Sequence, residues 1–143
     1  MPNPVVSKGS ATWRGNLFQG SGTARLDTSG LGTFDVNWKA RAEEAGGTTS
    51  PEELIAAAHA TCYSMAFSNE LDQNGTPPTQ LDTSAEATFV AGEGITGIHL
   101  TVNAQIEGIS EEDFQRIAEA AKNGCPVSQA LTGTTITLTA TLA

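Results

Sequence analysis

Ser50-Pro51-Glu52-Glu53-Leu54-Ile55-Ala56-Ala57-Ala58-His59-Ala60-Thr61-Cys62-Tyr63-Ser64-Met65-Ala66-Phe67 reads as one helix with a clear start. Ser50 stands where an N-cap accepts backbone N–H groups, and Pro51 occupies the first helical position, where its missing donor costs nothing. Glu53 completes a capping box, its carboxylate reaching back to the cap. Glu52 is left with no structural task beyond favouring the positive end of the helix dipole. From Leu54 to Phe67 there is no Asp, Glu, Lys or Arg. A helix that is apolar on nearly every face is buried on nearly every face. One small sheet covers only one side of it, so the sequence predicts a central helix that a second subunit helps to cover.

Strand patterns lie on both sides of this helix. Thr33 to Arg41 alternates, with Phe34, Val36, Trp38 and Ala40 on one face and Asp35, Asn37, Lys39 and Arg41 on the other. Ala11–Trp13 and Gly22–Asp27 are weaker strand candidates between Gly-rich turns. After Asn74-Gly75-Thr76-Pro77-Pro78, one apolar face runs through Ala85, Ala87 and Phe89 and another through Ile98, Leu100, Val102, Ala104 and Ile106. A hairpin turn is expected at Gly92–Gly94 between them. Ser110 caps a second helix whose Phe114, Ile117, Ala118 and Ala121 share a face, with Gly124 at the position of a C′ glycine. A short helix then starts at Cys125-Pro126, and Ile136, Leu138, Ala140 and Leu142 alternate with Thr in a last strand. Strands, helix, strands, helix, strand describe an α+β fold with antiparallel sheets.

With 143 residues the chain is expected to be a single domain, 1–143. Hydrophobic residues at 38% and charged residues at 16% are ordinary globular values. Seven Lys and Arg against 16 Asp and Glu leave a net charge of −9, the wrong sign for nucleic-acid backbone or an anionic membrane, so neither partner is expected. Leu54 to Phe67 is too short to span a bilayer, and the first residues show no secretory pattern. A cytoplasmic location is therefore expected. Two cysteines in that setting are seldom a structural staple, and any bond between them would be transient. Two Cys and two His, with only His59 and Cys62 close together, are a thin supply for a structural zinc site.

Four side chains invite chemistry. Cys62 lies inside the buried helix, where a free thiol can be a small hydrophobe and nothing more. Glu52 begins the same helix, however, and Arg41 ends the strand that leads to it; an arginine beside a thiol favours the reactive thiolate. Cys125 stands at a helix N-terminus, where free N–H groups lower a thiol's pKa, which nominates it as the more acidic of the two. His59 and His99 read as satisfied histidines. No phosphate loop, nucleophile elbow or metal-ligand helix occurs.

The stretch from Ser50 to Met65 closely resembles the hallmark of the OsmC/Ohr family of hydroperoxide peroxidases, and Asn123-Gly124-Cys125-Pro126-Val127-Ser128 resembles that family's second cysteine motif. Thr12-Trp13-Arg14-Gly15 and the Thr-rich last strand also fit, so the resemblance runs end to end; Glu-Glu-Leu-Ile followed by Ala-His-Ala is similar to the OsmC branch. It implies an intertwined homodimer in which sheets wrap two central helices, with active sites at the subunit interface. It further implies that Cys62 is the peroxidatic thiolate that reduces an organic hydroperoxide, and that Cys125 is the resolving thiol, giving a Cys62–Cys125 disulfide. Glu52 matches the family's catalytic glutamate, which orients an arginine; Arg41 is the assignment for that arginine, with Arg14 and Arg25 as alternatives. A dithiol such as dihydrolipoamide or a lipoylated protein is the implied reductant, and no cofactor is required. Two other classes compete: a non-catalytic dimer carrying a ligand in an apolar interface pocket, and a Cys/His hydrolase using His59 or His99.

Overall fold

Period-two alternation near the N-terminus becomes an antiparallel meander of β1 (Gly9–Arg14), β2 (Ser21–Leu26) and β3 (Thr33–Val36). The computed structural model describes residues 2–143, which divide into two units between Pro51 and Glu52. In the first unit the register pairs Ala11 with Ala24 and Ala24 with Phe34, and Trp13 with Gly22 and Gly22 with Val36. These residues share one face because alternate residues of a strand point the same way. Thr12, Thr23 and Asp35 share the other. The Trp13 ring lies over Gly22, where an added Cβ would meet the ring at 2.9 Å and press on the Thr12 carbonyl oxygen.

The strand expected as far as Arg41 stops at Val36. Asn37 takes an extended conformation (φ −151°, ψ 167°), its side chain accepts from the Ala40 N–H at 2.8 Å, and α1 (Trp38–Ala42) follows. Asn is among the best N-caps, and four residues of alternation cannot outweigh it. Arg41 therefore lies in the last turn of a short helix, three residues after Trp38, rather than on a strand.

The long helix α2 (Pro51–Gln73) starts with the last residue of the first unit and otherwise belongs to the second, where the hairpin β4 (Pro78–Val90) and β5 (Gly94–Ile106) follows it. Gly92 (φ 86°) and Gly94 (φ 95°) supply the left-handed backbone of the turn, as expected. Then come α3 (Glu111–Gly124), α4 (Pro126–Ala130) and β6 (Thr135–Leu142). The sheet order is β4-β5-β6, and β6 runs parallel to β5. The all-antiparallel expectation fails here because two helices fill the connection from β5 to β6, long enough for a crossover. Ser110 caps α3 as predicted, its Oγ accepting from the Asp113 N–H at 3.1 Å.

The core of this unit joins three elements: Tyr63, Phe67 and Leu71 of α2, Leu100, Val102 and Ala104 of β5, and Phe114, Ile117, Ala118 and Ala121 of α3. The Phe67 ring stands between Tyr63 and Phe114, with centroids 5.5 and 5.7 Å away. The Tyr63 hydroxyl donates to the Ala118 carbonyl at 3.0 Å. Within one chain α2 is covered on one side, as expected for a small sheet. Its buried residues are Glu52 and the four-residue ladder His59, Tyr63, Phe67 and Leu71, while Ala57, Ala58, Thr61 and Met65 face outward. Among the described residues no helix is long and apolar enough to cross a membrane.

Phe114→Ala is expected to lower stability by about 3–5 kcal/mol, and Tyr63→Phe by about 1 kcal/mol. Urea denaturation measures both. Equal losses would mean that the single hydroxyl holds α3 as firmly as the aromatic core does.

Candidate active site

The second cysteine is shaped by the proline after it. Proline disfavours helical backbone in its predecessor, and Cys125 takes φ −59°, ψ 124° as the joint between α3 and α4. This ends α3 at Gly124, which keeps a helical rather than a left-handed conformation, so it is the last residue of the helix and not the expected C′ glycine. The Cys125 N–H donates to the Ala121 carbonyl at 2.9 Å. Its side chain caps nothing at the start of α4. Instead Cys125 Sγ points at Cys62 Sγ, 3.0 Å away across the helix pair.

The two thiols differ in access. Cys125 is fully buried, whereas Cys62, in the middle of α2, is half-buried and reachable. Burial pushes the Cys62 thiol up, and the adjacent Cys125 adds to that; the Val127 backbone N–H, in the first turn of α4, pulls the other way. The helix-end amide that sequence reasoning credited to Cys125 thus serves Cys62.

Beside the sulfurs lies a polar pair; sequence reasoning weighed its histidine only as a hydrolase base and did not nominate its serine. His59 is fully buried, and its Nε2 lies 2.7 Å from Ser128 Oγ. His59 precedes Cys62 by three residues and Ser128 follows Cys125 by three, so each stands one helical turn from its cysteine. That shared spacing was the available signal. His59 is therefore committed to a serine, and His99 lies between Thr137 and Thr139 on the outward face of the sheet. Neither arrangement is that of a thiol's general base, which weakens the Cys/His hydrolase.

Glu52 is buried at 5% exposure in the first turn of α2. Ten residues of helix separate it from Cys62, roughly 15 Å along the axis. In the first unit, Arg41 lines an apolar cavity of about 310 Å³ with Trp13, Leu17, Val36, Trp38 and Pro51. Arg14 instead lines a separate hollow with Thr12, Thr23 and Asp35 on the polar face of the sheet. Arg25 is paired with Asp27 at 3.1 Å. The structure thus brings Cys62 and Cys125 together, and of the three candidate arginines only Arg41 lines the apolar cavity.

Comparison with known proteins gives a consistent picture. The family model for OsmC-like protein matches residues 43–140, a span that holds Glu52, Cys62 and Cys125 and begins just after Arg41. The chain is 42% identical to peroxiredoxin OsmC of Escherichia coli (strain K12) over 130 residues, 89% of this chain and 90% of that protein. It is 27% identical to organic hydroperoxide resistance protein OhrA of Bacillus subtilis (strain 168) over 95 residues, 65% of this chain and 67% of that one. In fold it is similar to an OsmC-like protein from Mycoplasma pneumoniae, with a TM-score of 0.71 at 17% identity, covering 97% of this chain and 98% of that one. The organic hydroperoxide resistance protein OhrB of Bacillus subtilis gives a TM-score of 0.63 at 23% identity, covering 95% and 98%.

Burial lowers the pKa of His59 from 6.5. The folded state favours the neutral ring, while the unfolded chain takes up a proton near the ordinary value. The His59 contribution to stability is therefore complete above pH 6.5 and is lost as the pH falls below it. The urea midpoint is expected to fall more steeply from about pH 7 to about pH 5 in the native protein than in His59→Gln. Identical slopes would assign the acid sensitivity to other groups.

Proposed function

The chain belongs to the OsmC-like protein family, and on that premise we propose a two-cysteine peroxidase that reduces organic hydroperoxides to alcohols. The observation that carries the mechanism is the 3.0 Å approach of Cys62 Sγ to Cys125 Sγ, with only Cys62 reachable from outside. The Cys62 thiolate attacks the terminal oxygen of ROOH; the O–O bond breaks, the leaving alkoxide takes a proton as ROH, and Cys62 becomes a sulfenic acid. Cys125 then attacks the Cys62 sulfur, forming the disulfide and releasing water. A disulfide bond measures roughly 2.05 Å, so closure from the reduced pair needs about 1 Å of movement. A dithiol of the dihydrolipoamide type opens the bond and is itself oxidised to a disulfide. Such a cycle suits a reducing compartment, the cytoplasm.

Burial opposes ionisation of Cys62, so reactivity near neutral pH calls for a positive charge beside the sulfur. We assign that charge to Arg41, supported by its position in an apolar cavity suited to an alkyl or aryl group. Glu52 is assigned to hold the guanidinium, a charge-assisted and geometrically defined contact. The distance along α2 between Glu52 and Cys62, and the uncharged outward face at Ala57, Ala58, Thr61 and Met65, favour a homodimer that completes the site. The same outward face suits the ligand-binding alternative, but a packing role gives no reason for two thiols in contact.

Cys62→Ser is expected to abolish turnover of cumene hydroperoxide. Cys125→Ser is expected to release one equivalent of alcohol as Cys62 reaches the sulfenic acid, and with excess peroxide a second as Cys62 goes on to the sulfinic acid, visible by intact mass. Two free thiols persisting in the native protein after one equivalent of peroxide would end the proposal. Arg41→Gln is expected to raise the pH midpoint of Cys62 alkylation by about one unit or more. An unchanged midpoint would transfer the role to another cation.

A further inference from the structure

Glu52, His59 and Ser128 are the buried polar residues among those described. His59 and Ser128 satisfy each other at 2.7 Å, and the other ring nitrogen of His59, Nδ1, is buried without a partner. An apolar pair of similar shape would fill the same space without that cost. The tautomer protonated on Nε2 donates to Ser128 Oγ and leaves Nδ1 as a bare acceptor, which is more tolerable in the interior than an orphaned N–H.

The location of the pair suggests what the polar contact is for. Helix α4 is five residues long, and Ser128 is its one buried residue. So short a helix has little apolar surface of its own to fix it against α2. Two polar contacts span the two helices, one turn apart on each: Cys125 Sγ to Cys62 Sγ at 3.0 Å and His59 Nε2 to Ser128 Oγ at 2.7 Å. The Val127 N–H adds a third contact, to Cys62. The His59–Ser128 bond involves neither sulfur, so adding an oxygen to Cys62 leaves both of its partner groups chemically unchanged.

We propose that the His59–Ser128 hydrogen bond is a latch for the resolving step, holding α4 against α2 so that Cys125 reaches oxidised Cys62 before a second peroxide does. The step it governs is Cys62–SOH plus HS–Cys125 giving Cys62–S–S–Cys125 and water; the Cys62 sulfur loses its oxygen and the Cys125 thiol its hydrogen. His59 and Ser128 exchange nothing with substrate and are positioning residues. The latch also raises the effective concentration of each sulfur at the other, and so favours the disulfide at equilibrium. In naming the governed step the inference rests on the peroxidase reading, but its equilibrium consequence does not.

The test uses the full-length protein in dithiothreitol redox buffers, with no peroxide, scoring disulfide by intact mass. Ser128→Ala, which removes one oxygen atom, is expected to lower the equilibrium constant for the Cys62–Cys125 bond about tenfold, the factor one buried hydrogen bond supplies. His59→Gln keeps an N–H donor and is expected to retain most of the native constant. The double variant His59→Leu with Ser128→Ala replaces both partners by apolar groups, so it should regain the stability lost in Ser128→Ala without regaining the constant. After a pulse of excess cumene hydroperoxide, Ser128→Ala is expected to show a correspondingly larger ratio of Cys62 sulfinic acid to disulfide. Constants within twofold of native in Ser128→Ala would overturn the latch, as would a double variant that recovers constant and stability together. If the constant shifts as expected but the native protein yields no alcohol from peroxide, the latch stands and the peroxidase reading falls.

Discussion

Pro126 can neither donate a backbone hydrogen bond nor tolerate a helical predecessor, and the candidate site follows from that restriction. It stops α3, holds Cys125 extended and starts α4 in a new direction. A serine or aspartate in that place would turn its side chain onto the amides of α4. Cys125 turns its sulfur toward Cys62 instead, and the Val127 amide is left to act on Cys62. One ring closure in the chain thereby orders two thiols, a helix end and the buried pair beside them.

The second requirement is a surface for α4 to rest on. The four-residue ladder His59, Tyr63, Phe67 and Leu71 supplies it, since residues four apart stack along one side of a helix. Its lower three members merge with Phe114, Leu100 and their neighbours in the core, which fixes α2 against β5 and α3. Its first member lies where the apolar core gives way to the two thiols, and there the ladder changes from the phenol of Tyr63 to an imidazole. Burial keeps that imidazole neutral in function, so it serves as a hydrogen-bonding group rather than a charge.

The first unit obeys the opposite economy. Its sheet places Trp13, Phe34 and Val36 on one face and Arg14, Thr12, Thr23 and Asp35 on the other, yet Trp13 and Phe34 remain substantially exposed. A cavity with largely apolar walls and an arginine among its lining residues is chemically suited to a molecule with a hydrocarbon body and a polar end. The proposed second copy would cover the outward side of α2, whose lack of charge a solvated helix does not require.

Much of this was legible in the chain. Capping signals and helical spacing located α2 and α3, period-two runs located β4, β5 and β6, and two long motifs identified the family and its cysteines. Three features were not legible. Asn37 ended a strand that alternation alone would have continued, because a local side-chain hydrogen bond outweighs a few residues of pattern. The parallel placement of β6 was hidden because a strand's alternation is the same whichever way its neighbour runs. The identity of the thiol served by the α4 amide was hidden because a helix end offers its N–H groups to whatever side chain packing brings near. Sequence by itself determined where α2, α3 and the strands of the second unit lie and which family the two cysteine motifs resemble, since propensity, capping and periodicity are local. Only the tertiary structure decided that Cys125 meets Cys62, that Val127 acts on Cys62, and that His59 and Ser128 join the two helices, since distances between residues 63 and 69 positions apart are set by packing.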